Sequence, residues 1–473
     1  MATLRRGPRV LGRALPALSL VALLAAGCAS VPDVDGLIAL GDAVPAAPDI
    51  IGARGPLTPA QSKAVVARLM GENPNSDVLA RHLALETALD DAPLVVGNKV
   101  TLLRNGAATL QAMFQTIRNA KNHLDLEYYT VENVDDGKQT LVDLLLEKRR
   151  QGVAIAMIYD GFGSLGTPAA LFDRLKQAGV SLLEFHPLNP LAAKREYSIN
   201  DRDHRKILVA DGKVGIVGGV NLSTVYERRP LDPDAAAGQE GSAHPWRDTD
   251  VEIEGPAVTQ LEKIFLDTWM QQGGAPRSPG IDDAPRIDAQ GKDTVRVLAS
   301  TPTRPIPAYY VSLISAIRNA ESRIWITAAY FVPTHKEIED LEQAARRGVD
   351  VRLLLPSFSD SESALLVGRS HYEDLLKAGA KIYEYRGARL HTKLVTVDGV
   401  WSVIGSSNFD HRSVLFNNEV DAVILGRDTA AQIEAMFTDE ISRADAIDLA
   451  AWRQRPFGER VREMLARTWQ VLL

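Results

Sequence analysis

Two histidines each stand two residues ahead of a lysine. His204 and Lys206 open the stretch "HRKILVADGKVGIVGGVN", and His391 and Lys393 open "HTKLVTVDGVWSVIGSSN". In a strand, residues i and i+2 share a face, so each imidazole projects beside its ammonium. An imidazole can attack an electrophile or move a proton near neutral pH, and an ammonium can hold an anionic oxygen. Asp211 and Asp398 follow in Asp-Gly pairs, which predict hairpin turns. The return runs then bring Asn221 and Asn408 back towards their own histidine and lysine. Gly219 precedes the first asparagine where Ser406 precedes the second. Each copy also holds a carboxylate: Asp248 and Glu419 lie seven residues before the glycines Gly255 and Gly426. Each acid is expected to meet the histidine of its own copy, fixing the tautomer and supporting the imidazolium.

The elements that must position these residues are themselves duplicated. "IRNA" ends an amphipathic run at 117–120 and again at 317–320, and a strand-like run follows each, at 123–131 and 323–333. The helix–strand stretches 141–164 and 338–361 match, as do 172–185 and 372–385. Each half thus reads helix–strand–helix–strand–helix–strand, which predicts α/β layers with parallel strands. Ahead of the halves, 58–70 and 76–89 read as helices, the first capped by Thr58 with Pro59 in its first turn. The predicted organisation is a leader at 1–27, a tether at 28–57, a helical segment at 58–97 and two halves at 98–285 and 293–473.

The leader carries Arg5, Arg6, Arg9 and Arg13, then a short apolar run that ends at Cys28, the only cysteine of the chain. This is the layout of a secretory signal, and "AAGC" resembles a bacterial lipoprotein cleavage site with Ala25 where leucine is usual. Acylation of Cys28 would anchor the chain to a membrane of the bacterial envelope, at the outer membrane or the periplasmic face. Loss of the four leader arginines takes the formal charge of −7 to −11. A negative chain is poorly suited to nucleic acid, which draws on a positive field. With one cysteine and no HExxH or paired-carboxylate motif, no metal and no cofactor are expected. His82, like His123, His186, His244, His335, His371 and His411, is expected to be structural.

His-x-Lys-x4-Asp, followed six residues on by Gly-Gly/Ser-x-Asn, resembles the phospholipase D superfamily, and this chain has it twice. "GKVGIVGGVNLS", "WRDTDVEIEGPAV", "TAAYFVP" and "SNFDHRSVLFNNEV" resemble the bacterial cardiolipin synthase branch, over about residues 95–473. The resemblance implies two α/β halves packed face to face, with the active site at their interface. It implies a phosphohistidine route: one histidine attacks phosphorus, and the other protonates the leaving alcohol and then deprotonates the acceptor. By analogy His204 is the nucleophile and His391 the acid/base, with the reverse open. Lys206, Lys393, Asn221, Asn408 and Ser406 would bind phosphate. Asp211 and Asp398 complete the motifs of the catalytic set, but are expected to hold turns and ion pairs. The implied partners are phospholipids, a phosphatidylglycerol-like donor and an alcohol acceptor. Hydrolysis by a phospholipase D, a nuclease, and a non-catalytic lipid-binding lipoprotein remain as alternatives. The connections at 189–201 and 226–246 flank the first motif and are candidate lips, with Lys194, Arg228 and Arg229 placed to meet headgroups.

Overall fold

The computed structural model describes residues 31–36, 38–39, 49–74, 76–89, 92–193, 197–227, 244–275, 287–304 and 306–472. Cys28 and the leader lie outside the described residues, as do Lys194, Arg228 and Arg229.

Among the described residues seven principal strands build the first half: β1 (Leu94–Leu103), β2 (His123–Tyr128), β3 (Ala154–Asp160), β4 (Ser181–Phe185), β5 (Lys206–Ala210), β6 (Val214–Gly218) and β7 (Asp250–Glu254). Seven build the second: β8 (Asp293–Ser300), β9 (Arg323–Ala328), β10 (Asp350–Pro356), β11 (Lys381–Tyr385), β12 (Lys393–Val397), β13 (Trp401–Gly405) and β14 (Asn417–Leu425). The spatial order is the same in both. It runs β1-β7-β6-β5-β2-β3-β4 in the first half. In the second it runs β8-β14-β13-β12-β9-β10-β11. Among these fourteen strands only β2-β3-β4 and β9-β10-β11 are parallel. The rest is antiparallel, because the Asp-Gly turns fold β5 onto β6 and β12 onto β13 as hairpins. The alternation therefore predicts the α/β class and the parallel core, but not the mixed sheet.

The helices follow from local signals. Thr140 and Thr334 cap Leu141–Arg150 and His335–Arg346, accepting the Asp143 and Glu337 backbone N–H groups. Thr58 caps Pro59–Glu72, and the helix Val78–Leu89 follows. His82 is buried there, its Nδ1 accepting from the Trp401 indole at 3.2 Å.

Two features join the halves. β1 pairs antiparallel with β8, Val95 opposite Val295, so the two sheets run into one another. An apolar core is shared by Ile207, Val217 and Val251 of the first half and Leu394, Ile404 and Val420 of the second. The central strands of both halves are thus packed together, with the ends of β5 and β12 near the seam. Among the described residues no helix is long and apolar enough to cross a membrane.

Candidate active site

The chain entering each catalytic strand is held by the opposite half. Arg202–Asp203 lies parallel to Asn417–Asn418, and Trp246–Arg247 lies parallel to Arg389–Leu390. The His204 N–H donates to the Asn418 carbonyl at 3.0 Å, and the His391 N–H to the Arg247 carbonyl at 2.7 Å. The next residue of each partner is an acid. His204 Nδ1 stands 3.1 and 3.2 Å from the Glu419 oxygens, and His391 Nδ1 stands 2.6 Å from Asp248 Oδ2. Sequence spacing pairs each acid with the histidine of its own copy; the structure exchanges them. The ladder gives the reason. Asp250 is opposite Gly218 and Asp421 opposite Gly405, so the acid two residues earlier projects beyond its own sheet towards the other half.

With Nδ1 of each ring on a carboxylate, the Nε2 atoms are left for chemistry. Both histidines line one cleft of about 540 Å³ together with Asn221 and Asn408. Asn221 Oδ1 accepts from the Thr130 N–H at 3.2 Å, which leaves its NH2 group for a ligand. The lysines sit beneath the histidines rather than in the cleft lining. Lys206 Nζ donates to the His204 carbonyl and Lys393 Nζ to the His391 carbonyl. The rings of Tyr129 and Tyr330 stand edge-on to His204 and His391, and each also faces the neighbouring lysine.

Ser406 takes a role other than phosphate binding. Its hydroxyl donates to Glu419 Oε2 at 2.5 Å and is fully buried. Ser413 and Asn417 donate to the other Glu419 oxygen at 2.9 and 3.1 Å. Ser406 is therefore a positioning residue for the acid behind His204. Its counterpart is glycine for a steric reason: a Cβ on Gly219 would stand 2.6 Å from Asp248 Oδ2.

Tyr226 fills the place that a serine cannot. Its hydroxyl lies 3.1 Å from His391 Nδ1 and 3.4 Å from Asp248 Oδ2. Gly106 admits it, since a Cβ there would stand 2.6 Å from Tyr226 Cβ. Sequence alone misses Tyr226 because it falls in a stretch without a repeat partner. Asp250 and Asp421 were findable, each five residues before the glycine in both copies. The Asp250 carboxylate accepts from Gly219 and Val220 N–H groups, and Asp421 binds the Ser407 N–H and hydroxyl. They fix the turns that present the two asparagines.

The motif aspartates lie at the far ends of the strands. Asp211 and Asp398 adopt positive φ of 54° and 52° at the hairpin turns. The Asp211 carboxylate accepts from the N–H groups of Lys121, Asn122 and His123. The Asp398 carboxylate accepts from the N–H groups of Glu321, Ser322 and Arg323 and from the Ser76 hydroxyl. They tie the hairpin to the start of β2 or β9, and neither touches a catalytic ring.

Burial dominates the electrostatics. It lowers the His204 pKa to about 4, with Glu419 opposing, and it lowers Lys206 to about 7. His391 and Lys393 are lowered for the same reason, His391 further by the Lys393 charge and less by virtue of Asp248. Burial works against ionisation of Asp248 and Glu419, but their histidines and lysines hold both below the usual carboxylate range. Burial pushes Asp421 up to about 8. One possible metal-ligand group, His123, Asp125 and Glu262, lies away from the cleft, its ligand atoms within 4.8 Å of one another. His123 pairs with Glu262 at 2.8 Å where the second half has the Arg323–Glu434 ion pair, so the cluster reads as a strand–helix tie.

Two like halves, with paired histidines across one cleft and each ring braced by an acid of the opposite half, define an enzyme of the phospholipase D superfamily. Residues 113–231 and 313–441 match the family described as "Cardiolipin synthase, PLD-like domain". The chain belongs to this family. It is 35% identical over 393 residues to the cardiolipin synthase of Geobacillus kaustophilus, covering 83% of this chain and 76% of that one. It is 33% identical over 373 residues to cardiolipin synthase 2 of Bacillus anthracis, covering 78% and 70%. Among solved structures, the phosphatidylserine synthase of Haemophilus influenzae shares the fold, with a TM-score of 0.61 at 12% identity, over 82% of this chain and 99% of that one.

Proposed function

We propose that the protein is a phosphatidyltransferase that makes cardiolipin from a phosphatidylglycerol-like donor and an alcohol acceptor. The observation that carries this is the exchanged pair of acid–histidine contacts facing one cleft. Glu419 holds the His204 Nδ1 proton, so the Nε2 lone pair is free, and the low pKa keeps the ring neutral. His204 Nε2 attacks phosphorus and the bond to the leaving alcohol breaks. His391, as imidazolium on Asp248, gives its Nε2 proton to the departing oxygen. The acceptor hydroxyl then returns a proton to His391 Nε2 while its oxygen attacks phosphorus. The P–N bond breaks and His204 is regenerated. Lys206, Lys393, Asn221 and Asn408 counter the charge on the non-bridging oxygens. The charge is supplied by side chains throughout, so the scheme needs no metal.

Hydrolysis differs only in the acceptor that reaches the phosphohistidine. Family membership favours transfer. Purified protein with phosphatidylglycerol vesicles, products resolved by mass spectrometry, should yield cardiolipin and glycerol. Phosphatidic acid alone would replace transfer with hydrolysis, and no turnover would leave a lipid-binding protein. An acylated Cys28 would place the enzyme on an envelope membrane; Cys28→Ala should then abolish incorporation of labelled fatty acid into the chain.

A further inference from the structure

The C-terminal helix Phe457–Arg467 is mounted with its apolar side outward. Phe457, Val461, Met464 and Leu465 recur at i, i+4, i+7 and i+8, which is one face of an α-helix. A helix that packs on its own domain turns such a stripe to the core. Here Phe457 is 79% exposed, Met464 62% and Leu465 56%. Glu463, on the opposite side, is the buried residue, with its carboxylate on Arg455. Ala466 is the apolar contact inward, against Ala364 and Val367 of the helix Glu362–Ser370. Trp469 and Val471, each half-exposed, extend the apolar surface past the helix end.

The position of this stripe indicates what covers it. Ser361 and Ala364, beneath the C-terminal helix, line the catalytic cleft. The facing wall of the cleft presents Phe162 and Ile199 to solvent, 55% and 67% exposed. The two rims of the cleft therefore carry bare apolar side chains. Arg460 and Arg467 are exposed at the border of the stripe. An apolar face with a cationic edge and an indole at its end suits the boundary between headgroups and acyl chains. A protein groove would not need the cations, whereas an anionic lipid surface would attract them.

We propose that this helix lies in the surface of an anionic phospholipid bilayer and holds the mouth of the cleft against the lipid. Phe457, Met464 and Leu465 enter the acyl boundary, and Arg460 and Arg467 meet lipid phosphates. The idea builds on the proposed lipid substrate, but docking is read without turnover, so the two can fail separately. The only native cysteine is Cys28, so the full chain with Cys28→Ser and Leu465→Cys takes a single environment-sensitive fluorophore. Vesicles of phosphatidylglycerol and phosphatidylethanolamine should shift its emission to the blue, and brominated acyl chains should quench it. The same label at Glu147→Cys, on the exposed face of a first-half helix, should not respond. A label at 465 that keeps its aqueous spectrum with vesicles present overturns the proposal, whether or not the chain sediments with them. So does a blue shift that needs no vesicles and grows with protein concentration, which would assign the stripe to a second copy. Met464→Asp and Leu465→Asp should each weaken vesicle binding by roughly tenfold. Both should leave turnover of a soluble short-chain phosphodiester unchanged; an equal loss there would mark the helix as merely structural.

Discussion

Because the acids are exchanged between halves, Asp248→Asn and Glu419→Gln should fail at different chemical steps. Asp248 contacts His391, and Glu419 contacts His204. Each substitution keeps the shape and removes one charge-assisted hydrogen bond, worth about 1.5–3 kcal/mol. For His391 this lowers proton affinity further, by roughly one to two pH units. Any step that needs the imidazolium then slows by about 10- to 150-fold. A phosphatidyl ester of p-nitrophenol separates the steps, because its leaving group departs without a proton. Asp248→Asn and His391→Ala should still release a stoichiometric burst of p-nitrophenolate in rapid-mixing absorbance. They should then stall, since the acceptor alcohol is not deprotonated. Glu419→Gln should slow the burst itself, and His204→Ala should abolish it. A burst lost in Asp248→Asn but intact in Glu419→Gln would exchange the roles of the two histidines. Equal burst losses in both variants would refute the exchanged contacts as the organisers of the site.

Further outcomes follow from the geometry. Gly219→Ser pushes its side chain into Asp248 and should lower kcat on vesicles at least tenfold with little change in KM; Ser406→Ala, which costs Glu419 one hydrogen bond of about 1 kcal/mol, should lower it roughly fivefold. The pH profile of kcat/KM should rise through an apparent pKa of about 4, as His204 becomes neutral, and fall as His391 loses its proton, below the ordinary histidine range and before Lys206 loses its charge near 7. In kcat the upper limb should move to higher pH, because a bound phosphodiester anion favours the His391 imidazolium. Asp398→Ala should lower thermal stability by roughly 3 kcal/mol, read by calorimetry, by stranding three backbone N–H groups. Burial opposes ionisation of Asp398, yet Ser76 and the backbone amides hold its pKa below the ordinary value. That stabilisation should be complete above the unfolded-state pKa near 4 and be lost as pH falls through the lower folded value.

Much of the site was legible because it is written twice. A single His-x-Lys on a strand is an ordinary surface pattern, but His204 and His391 recur with the same glycines and asparagines behind them. The Asp-Gly pairs announced both hairpins, and their positive φ at Asp211 and Asp398 is what the turn requires. The exchange of Asp248 and Glu419 was not legible, because distance along the chain says nothing about which sheet end meets which across the seam. Ser406 looked like a phosphate ligand by its neighbours, and only the side-chain direction of a strand end assigns it to Glu419. Tyr226 had no partner in the other half to draw attention to it. The antiparallel part of each sheet escaped the helix–strand alternation, since a hairpin is a local event within it.

The exchanged acids also make activity conditional on assembly. A half produced alone presents a histidine without its carboxylate and a carboxylate without its ring, so neither half holds a complete acid–histidine pair. This is a safeguard: the centre stays inert until both lobes have folded and closed on one another. Lobes supplied as two separate polypeptides should regain turnover together and show none singly.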